Sequence, residues 1–257
     1  MRTAFLFDIH ANLPALRAVL AEIDRAGVDA ILHGGDLIGW GPQPNEVVAA
    51  VAERGIEGVV GNHELLCLGA FTEEHPLRNE STAWTAEALT RKSREFIAAL
   101  PPQVAAGKFL LSHANPAAWR EPPDAGCFPY LHSTDDLLQD AARLQDAPGG
   151  VIVTGHVHVP AVFAAHLGGA AIETRGMEAS DSFLECSLGV GEWLFVTVGA
   201  VGKPRDGVPA ANYALLDTEA GTITLRRVSY DVQAVCDLIH GADGLPDVLA
   251  EELTEGM

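Results

Sequence analysis

The chain has 257 residues, is 48% hydrophobic and carries a formal net charge of −19 at pH 7. That length supports one large core, and the excess of acid argues against a nucleic-acid groove or an anionic membrane surface, which both reward clustered lysine and arginine. No apolar run is long enough to span a bilayer, Asp8 interrupts the opening "AFLF", and Cys67, Cys127, Cys186 and Cys236 lack CxxC spacing, so the expectation is a cytoplasmic protein with reduced thiols that mostly pack.

The first predicted element is a strand over Thr3 to Phe7, which delivers Asp8 and His10 two residues apart. A helix follows, capped by Asn12, with Pro14 in its first turn, an apolar stripe of Leu16, Val19, Leu20 and Ile23, and a stop at Gly27. Next comes "AILHGGD", a strand ending at Asp36, then a loop containing Trp40 and a helix over Glu46 to Arg54. The run "IEGVV" leads to Asn62, His63 and Glu64. Ser81 to Leu100 reads as one helix near the cleft, stopped by Pro101 and Pro102. "KFLL" then leads to Ser112 and His113, and "GVIVT" to His156 and His158. The later chain turns β-rich: "EWLFVTV", "NYALLD" and "TITLRRVSY" are strand-like, the last two joined through "TEAG" as a hairpin. An acidic helical segment closes the chain over about 232–257.

Taken singly, a histidine at a strand end is most often a half-buried packing residue. Five strand-like runs ending in Asp, Asn or His are another matter. Strands alternating with helices predict an α/β layer structure, and in an open α/β sheet ligands gather beyond the carboxyl ends of the strands. Asp8, Asp36, Asn62, His113 and the His156–His158 pair are therefore expected to share one crevice. His33 is read as a strand-end packing residue, and His75, His132, His166 and His240 as surface or packing residues.

The segments "DIHAN", "GGDLIGWG", "GNHE", "SHANP" and "GHVHVP" resemble, in order and rough spacing, the motifs of the calcineurin-like metallophosphoesterases. The resemblance extends over nearly the whole chain and is greatest to a compact prokaryotic, phosphodiesterase-like branch. It implies a four-layer αββα sandwich of two mixed β-sheets flanked by helices, here as one domain over 1–257. It also implies two divalent metal ions as cofactors, manganese preferred over iron, zinc or nickel. Asp36 would bridge them, Asp8, His10 and His158 completing one site and Asn62, His113 and His156 the other. A metal-bridging hydroxide would attack the phosphorus, with His63 near the leaving oxygen as general acid or hydrogen-bond donor and Glu64 orienting His63.

Protein phosphatases of that superfamily carry arginines in the loops that here read "GDLIGWG" and "VGNHE". Gly39, Trp40 and Val60 stand where charge would grip a phosphomonoester dianion, which favours a small phosphodiester as the substrate. Arg205 in "PRDG" and Trp40 are candidate substrate contacts, each with a structural alternative as a turn-stabilising or loop-covering residue. The rival readings are a phosphomonoesterase or protein phosphatase of the same superfamily, and a catalytically weak metal- or nucleotide-binding regulator. A dinuclear hydrolase of carbon-centred bonds is disfavoured by the lack of HExxH or HxHxDH runs. The sequence leaves the oligomeric state open.

Overall fold

The computed structural model describes residues 1–72, 75–106, 109–130, 150–166, 172–189 and 192–257; His132 lies outside them. Among the described residues twelve strands form two mixed six-stranded sheets. The first runs β3 (Glu57–Gly58), β2 (Ala30–His33), β1 (Arg2–Leu6), β11 (Ala211–Asp217), β12 (Thr222–Val228), β9 (Phe183–Ser187). In the second the order is β4 (Gln103–Ala106), β5 (Phe109–Ser112), β6 (Gly150–Thr154), β10 (Glu192–Thr197), β7 (Ala161–His166), β8 (Ile172–Gly176). Strands β1, β2 and β3 are mutually parallel, as are β5, β6 and β10.

Alternation along the strands builds the layers. Phe5 in β1 and Ala214 and Leu216 in β11 join Phe109, Leu111, Val151, Val153, Leu194 and Val196 of the second sheet in one core. Their chain neighbours Ala4, Leu6, Tyr213 and Leu215 point the other way. There they meet α1 (Leu13–Ala26), α2 (Pro44–Glu53) and Ile97 of α5 (Arg91–Ala98). Helix α1 begins as its sequence predicts: Oδ1 of Asn12 accepts from the Ala15 N–H at 3.0 Å and Gly27 ends the helix at φ +65°.

Three expectations change in detail. The strand expected over "IEGVV" reduces to the two residues of β3. The second helix covers Pro44–Glu53 and not Glu46 to Arg54, because Pro44 suits a first helical position. The single helix expected over Ser81 to Leu100 is two, α4 (Pro76–Ala88) and α5, broken at Leu89 and Thr90. Asn45 stabilises the break: its Nδ2 donates to the Ala88 carbonyl and its Oδ1 accepts from the Thr90 N–H, both at 2.9 Å. Thr90 in turn caps α5 through the Ser93 N–H. The β11–β12 hairpin forms where "TEAG" places it, with Oδ1 of Asp217 accepting from the N–H groups of Glu219 and Ala220. Two short helices, α6 (Val232–His240) and α7 (Val248–Glu255), close the chain. The four cysteines are free and buried, and among the described residues no helix is long and apolar enough to cross a membrane.

Candidate metal centre

Five of the parallel strands, β1, β2, β3, β5 and β6, end at the same edge and hand over a polar residue. Asp8 and His10 follow β1, Asp36 follows β2, His113 follows β5, and His156 and His158 follow β6; Asn62, just beyond β3, is the first residue of α3 (Asn62–Cys67). All seven are buried. Asp8, His10, Asp36, His156 and His158 all adopt left-handed backbone, with φ between 47° and 67°. Such backbone is costly for non-glycine residues and persists where surrounding structure enforces it. Among the described non-glycine residues only Ala11 and Trp40 share it without being candidate ligands, so the strain is concentrated at this crevice.

The side chains converge in two sets that share one carboxylate. Ligand atoms of Asp8, His10, Asp36 and His158 lie within 4.8 Å of one another, as do those of Asp36, His113 and His156. In the first set, Nε2 of His158 is 3.4 Å from Oδ1 of Asp8 and 3.2 Å from Nε2 of His10. In the second, Nε2 of His113 is 3.3 Å from Oδ2 of Asp36 and 3.0 Å from Oδ1 of Asn62.

Backbone carbonyls orient the imidazoles. Nδ1 of His10 faces the Ile38 oxygen at 3.1 Å, Nδ1 of His113 the Gly34 oxygen at 2.8 Å and Nδ1 of His158 the Lys203 oxygen at 2.6 Å. A carbonyl can only accept, so each Nδ1 donates and each Nε2 turns inward. Burial pushes His10, His156 and His158 well below the ordinary histidine range, which keeps them neutral. His10 and His158 then present lone pairs to each other, and among the described residues the buried Nε2 of His156 and Oδ1 of Asp8 have no hydrogen-bond partner. His113 behaves differently: burial alone would lower it, yet the Asp36 and Asp8 carboxylates push it up to about 10. The pocket thus draws in positive charge. Two carboxylates, four imidazoles and an amide are a donor set that suits borderline divalent cations.

His63 and Glu64 stand beside this cluster. The His63 N–H donates to Oδ1 of Asp36 at 2.9 Å, and its ring packs edge-on to His10 with centroids 4.8 Å apart. A Cβ on Gly39, whose φ is +82°, would come within 2.2 Å of Nδ1 of His63. Only glycine leaves room for the imidazole. Burial pushes His63 down to about 4, with Arg78 and Arg205 adding to the shift against the pull of Asp36. Among the described residues the Glu64 carboxylate makes no hydrogen bond to His63, contrary to expectation. Its carboxylate accepts from the N–H groups of Asp36, Leu37 and Gly61 at 2.7 to 2.9 Å and from Ile38 at 3.4 Å. Glu64 therefore clamps the Asp36 loop onto the start of α3 and acts on His63 only through that framework.

Of the two candidate substrate contacts, Trp40 is buried against Val235, Ile239, Leu249 and Leu253 of α6 and α7, with its ring 5.4 Å from His63. It forms a wall behind His63. Arg205 is half-buried beside the cluster and its N–H donates to the His158 carbonyl at 3.2 Å. Sequence reasoning missed Tyr130, whose ring stacks on His156 at 4.4 Å, and Lys203, whose carbonyl orients His158. No motif marks either, because each acts through a contact that only the fold creates. His33 is buried at its strand end, with Nδ1 accepting from the Gly35 N–H, and joins neither ligand set. His75 caps α4 through the Arg78 N–H.

Residues 1–221 match the model of the calcineurin-like phosphoesterase superfamily domain. An uncharacterised protein of Methanocaldococcus jannaschii is 29% identical over 98% of this chain and 97% of its own. The crystal structure of a metallophosphoesterase from Sphaerobacter thermophilus superposes with a TM-score of 0.81 at 29% identity, covering 100% of this chain and 99% of that one. A hypothetical protein from Pyrococcus horikoshii shares the fold, with a TM-score of 0.76 at 19% identity, covering 100% of this chain and 98% of its own.

Proposed function

We propose that this chain, which belongs to the calcineurin-like phosphoesterase superfamily and is thereby a phosphoesterase, holds two divalent ions bridged by Asp36 and hydrolyses a small phosphodiester. The observation that carries this reading is the pair of buried ligand sets sharing Asp36, built on left-handed backbone. Asp8, His10 and His158 would complete one site and Asn62, His113 and His156 the other. Two ions held there supply Lewis acidity toward phosphoryl oxygens and a nucleophile at neutral pH.

The chain's own residues do the remainder. Asp36 is fixed from both sides, by the His63 N–H on Oδ1 and by Glu64 gripping its backbone N–H. Gly61 lets this approach happen, since a Cβ there would lie 2.2 Å from Oδ1 of Asp36. His63, with Nδ1 turned to Gly39, offers Nε2 to the leaving oxygen. Held near 4 by burial, it works at neutral pH as a neutral donor, which favours the hydrogen-bond role over an imidazolium acid. The lack of arginine at Gly39, Trp40 and Val60 supports a diester over a phosphomonoester dianion.

Elemental analysis of the freshly purified protein, followed by kinetics at saturating Mn²⁺, tests the proposal. Two metal equivalents per chain and a higher kcat/KM on bis(4-nitrophenyl) phosphate than on phosphotyrosine or phosphoserine peptides are expected. Asp36→Asn should deplete both metals and nearly abolish turnover, whereas His113→Ala should mainly empty one site. Two tightly held metals in Asp36→Asn would overturn the bridge, and the reverse substrate ranking would overturn the diester reading.

A further inference from the structure

His158 is gripped twice by the loop that follows β10. Its Nδ1 donates to the Lys203 carbonyl at 2.6 Å, and its own carbonyl accepts from the Arg205 N–H at 3.2 Å. His10 and His113 are held differently. They donate to the carbonyls of Ile38 and Gly34, each two residues from Asp36, so the segment that carries the shared carboxylate also orients those rings. His158 takes its orientation from a segment that supplies no candidate ligand. Its backbone is left-handed, at φ 61°, and such a conformation persists only where the surrounding structure over-determines it. The position of His158 is therefore only as well defined as that of the loop.

The loop is tied down at both ends. At its start the Val201 and Gly202 N–H groups donate to the Phe7 and Asp8 carbonyls, each at 2.9 Å. A Cβ on Gly202 would lie 1.8 Å from the Ile9 oxygen, so only glycine permits this approach. Next, the Lys203 ammonium pairs with Glu252 of α7. At the far end Asp206 pairs with Arg227 of β12, and both side chains are only 6% exposed. Arg227 is itself anchored, because its Nη1 donates to the Glu178 and Asp181 carbonyls at 2.9 and 3.0 Å, in the turn between β8 and β9. A buried ion pair often adds little net stability over apolar residues of the same volume, which directs attention to the geometry it enforces. We propose that the Asp206–Arg227 pair is a positioning element for the metal site that contains His158: by fixing the loop that orients this ligand, it sets the affinity of one ion site and not of the other. The inference rests on the proposed two-ion centre. Both residues act through the backbone of Lys203 and Arg205, whereas in the second site His113 is held by Gly34 and Asn62.

Manganese binding tests this one site at a time. His113→Ala leaves the site of His158 to be measured, and His158→Ala leaves the other. Asp206→Ala is placed in each background, so that the comparison isolates the coupling between the pair and each site. Binding of Mn²⁺ to the metal-free proteins is titrated by calorimetry and by the EPR signal of the free ion, and their thermal unfolding is followed by circular dichroism. In the His113→Ala background Asp206→Ala should raise the Kd for Mn²⁺ by about 10- to 100-fold, the range for partners behind a metal ligand. In the His158→Ala background the Kd should not change. Asp206→Asn keeps the shape and an acceptor oxygen without the charge; it should fall in between, and it carries the test if Asp206→Ala does not fold. An unchanged Kd in both backgrounds would overturn the proposal. Equal weakening in both would overturn it too, reducing the pair to general stability. Absence of two bound Mn²⁺ from the wild type would instead remove the reading on which the proposal rests.

Discussion

The carbonyl oxygen of Lys203 accepts from Nδ1 of His158 at 2.6 Å, while the same residue's ammonium donates to Oε2 of Glu252 at 2.6 Å and to the Met257 backbone oxygen at 2.8 Å. A candidate metal ligand is thus linked through one buried lysine to the C-terminal helix. The Lys203 ammonium also lies 5.1 Å over the Trp40 ring, which backs His63. Lys203→Met should cost about 1–3 kcal/mol in urea unfolding, the range for a charged hydrogen bond left unmade. It should also speed loss of metal to a chelator, since partners behind a ligand typically change metal affinity by about 10- to 100-fold. Lost stability with an unchanged chelation rate would restrict Lys203 to packing.

His33 gives the protein an acid sensitivity of its own. Burial pushes its imidazole down to about 3, whereas the unfolded chain holds it near the ordinary value of about 6.5. Between those two values the unfolded state binds the extra proton and the folded state does not, so stability falls as pH falls through this window. The slope from this residue is about 1.4 kcal/mol per pH unit. His33→Asn keeps an acceptor for the Gly35 N–H that Nδ1 of His33 now receives but cannot take up the proton. Its unfolding free energy should therefore fall less than that of the wild type between about pH 6 and 4. Parallel pH dependences would show that His33 is protonated in the folded protein.

Much of the crevice was legible because its residues come in fixed local spacings. Asp8 with His10 and His156 with His158 stand directly at the ends of apolar strands, and a strand's direction aims the residues just beyond its end. The role of Glu64 was not legible, since three of its four partners are backbone N–H groups of a loop 26 to 28 residues away, which come within reach only once the Asp36 loop has folded over α3. Tyr130 and Lys203 were hidden for the same reason. Strand β9 escaped notice because four of its five residues are exposed or half-exposed, leaving little alternation to read. The break between α4 and α5 depends on Asn45, which lies in another helix.

Gly39 offers a way to displace His63 without touching a ligand. Gly39→Ala places a methyl within 2.2 Å of Nδ1 of His63 and forces alanine to φ +82°, so the imidazole must shift. A displacement of about 1 Å is enough to cost on the order of 10²-fold in rate. Turnover should fall by about that factor with metal content intact. Wild-type rates in a folded Gly39→Ala protein would mean that the position of His63 is unimportant to the reaction.

The role of His63 itself is separable by leaving group. It is expected to donate from Nε2 to the departing oxygen, and such donation contributes typically 10²- to 10⁴-fold, or roughly 3 to 5 kcal/mol at the transition state. That help counts for less when the leaving group is already stable as an anion. His63→Ala should therefore lose far more activity on an alkyl or ribose ester than on a nitrophenyl ester, with both metals retained. The pH profile adds an independent check. With its imidazole held at about 4 by burial, His63 is neutral throughout the range above about pH 5, so no limb of the wild-type profile there belongs to it. Removing it should lower the profile on the poor leaving group without moving its limbs. Equal losses on both esters would assign His63 to substrate positioning, and a limb that disappears in His63→Ala would make it an imidazolium acid.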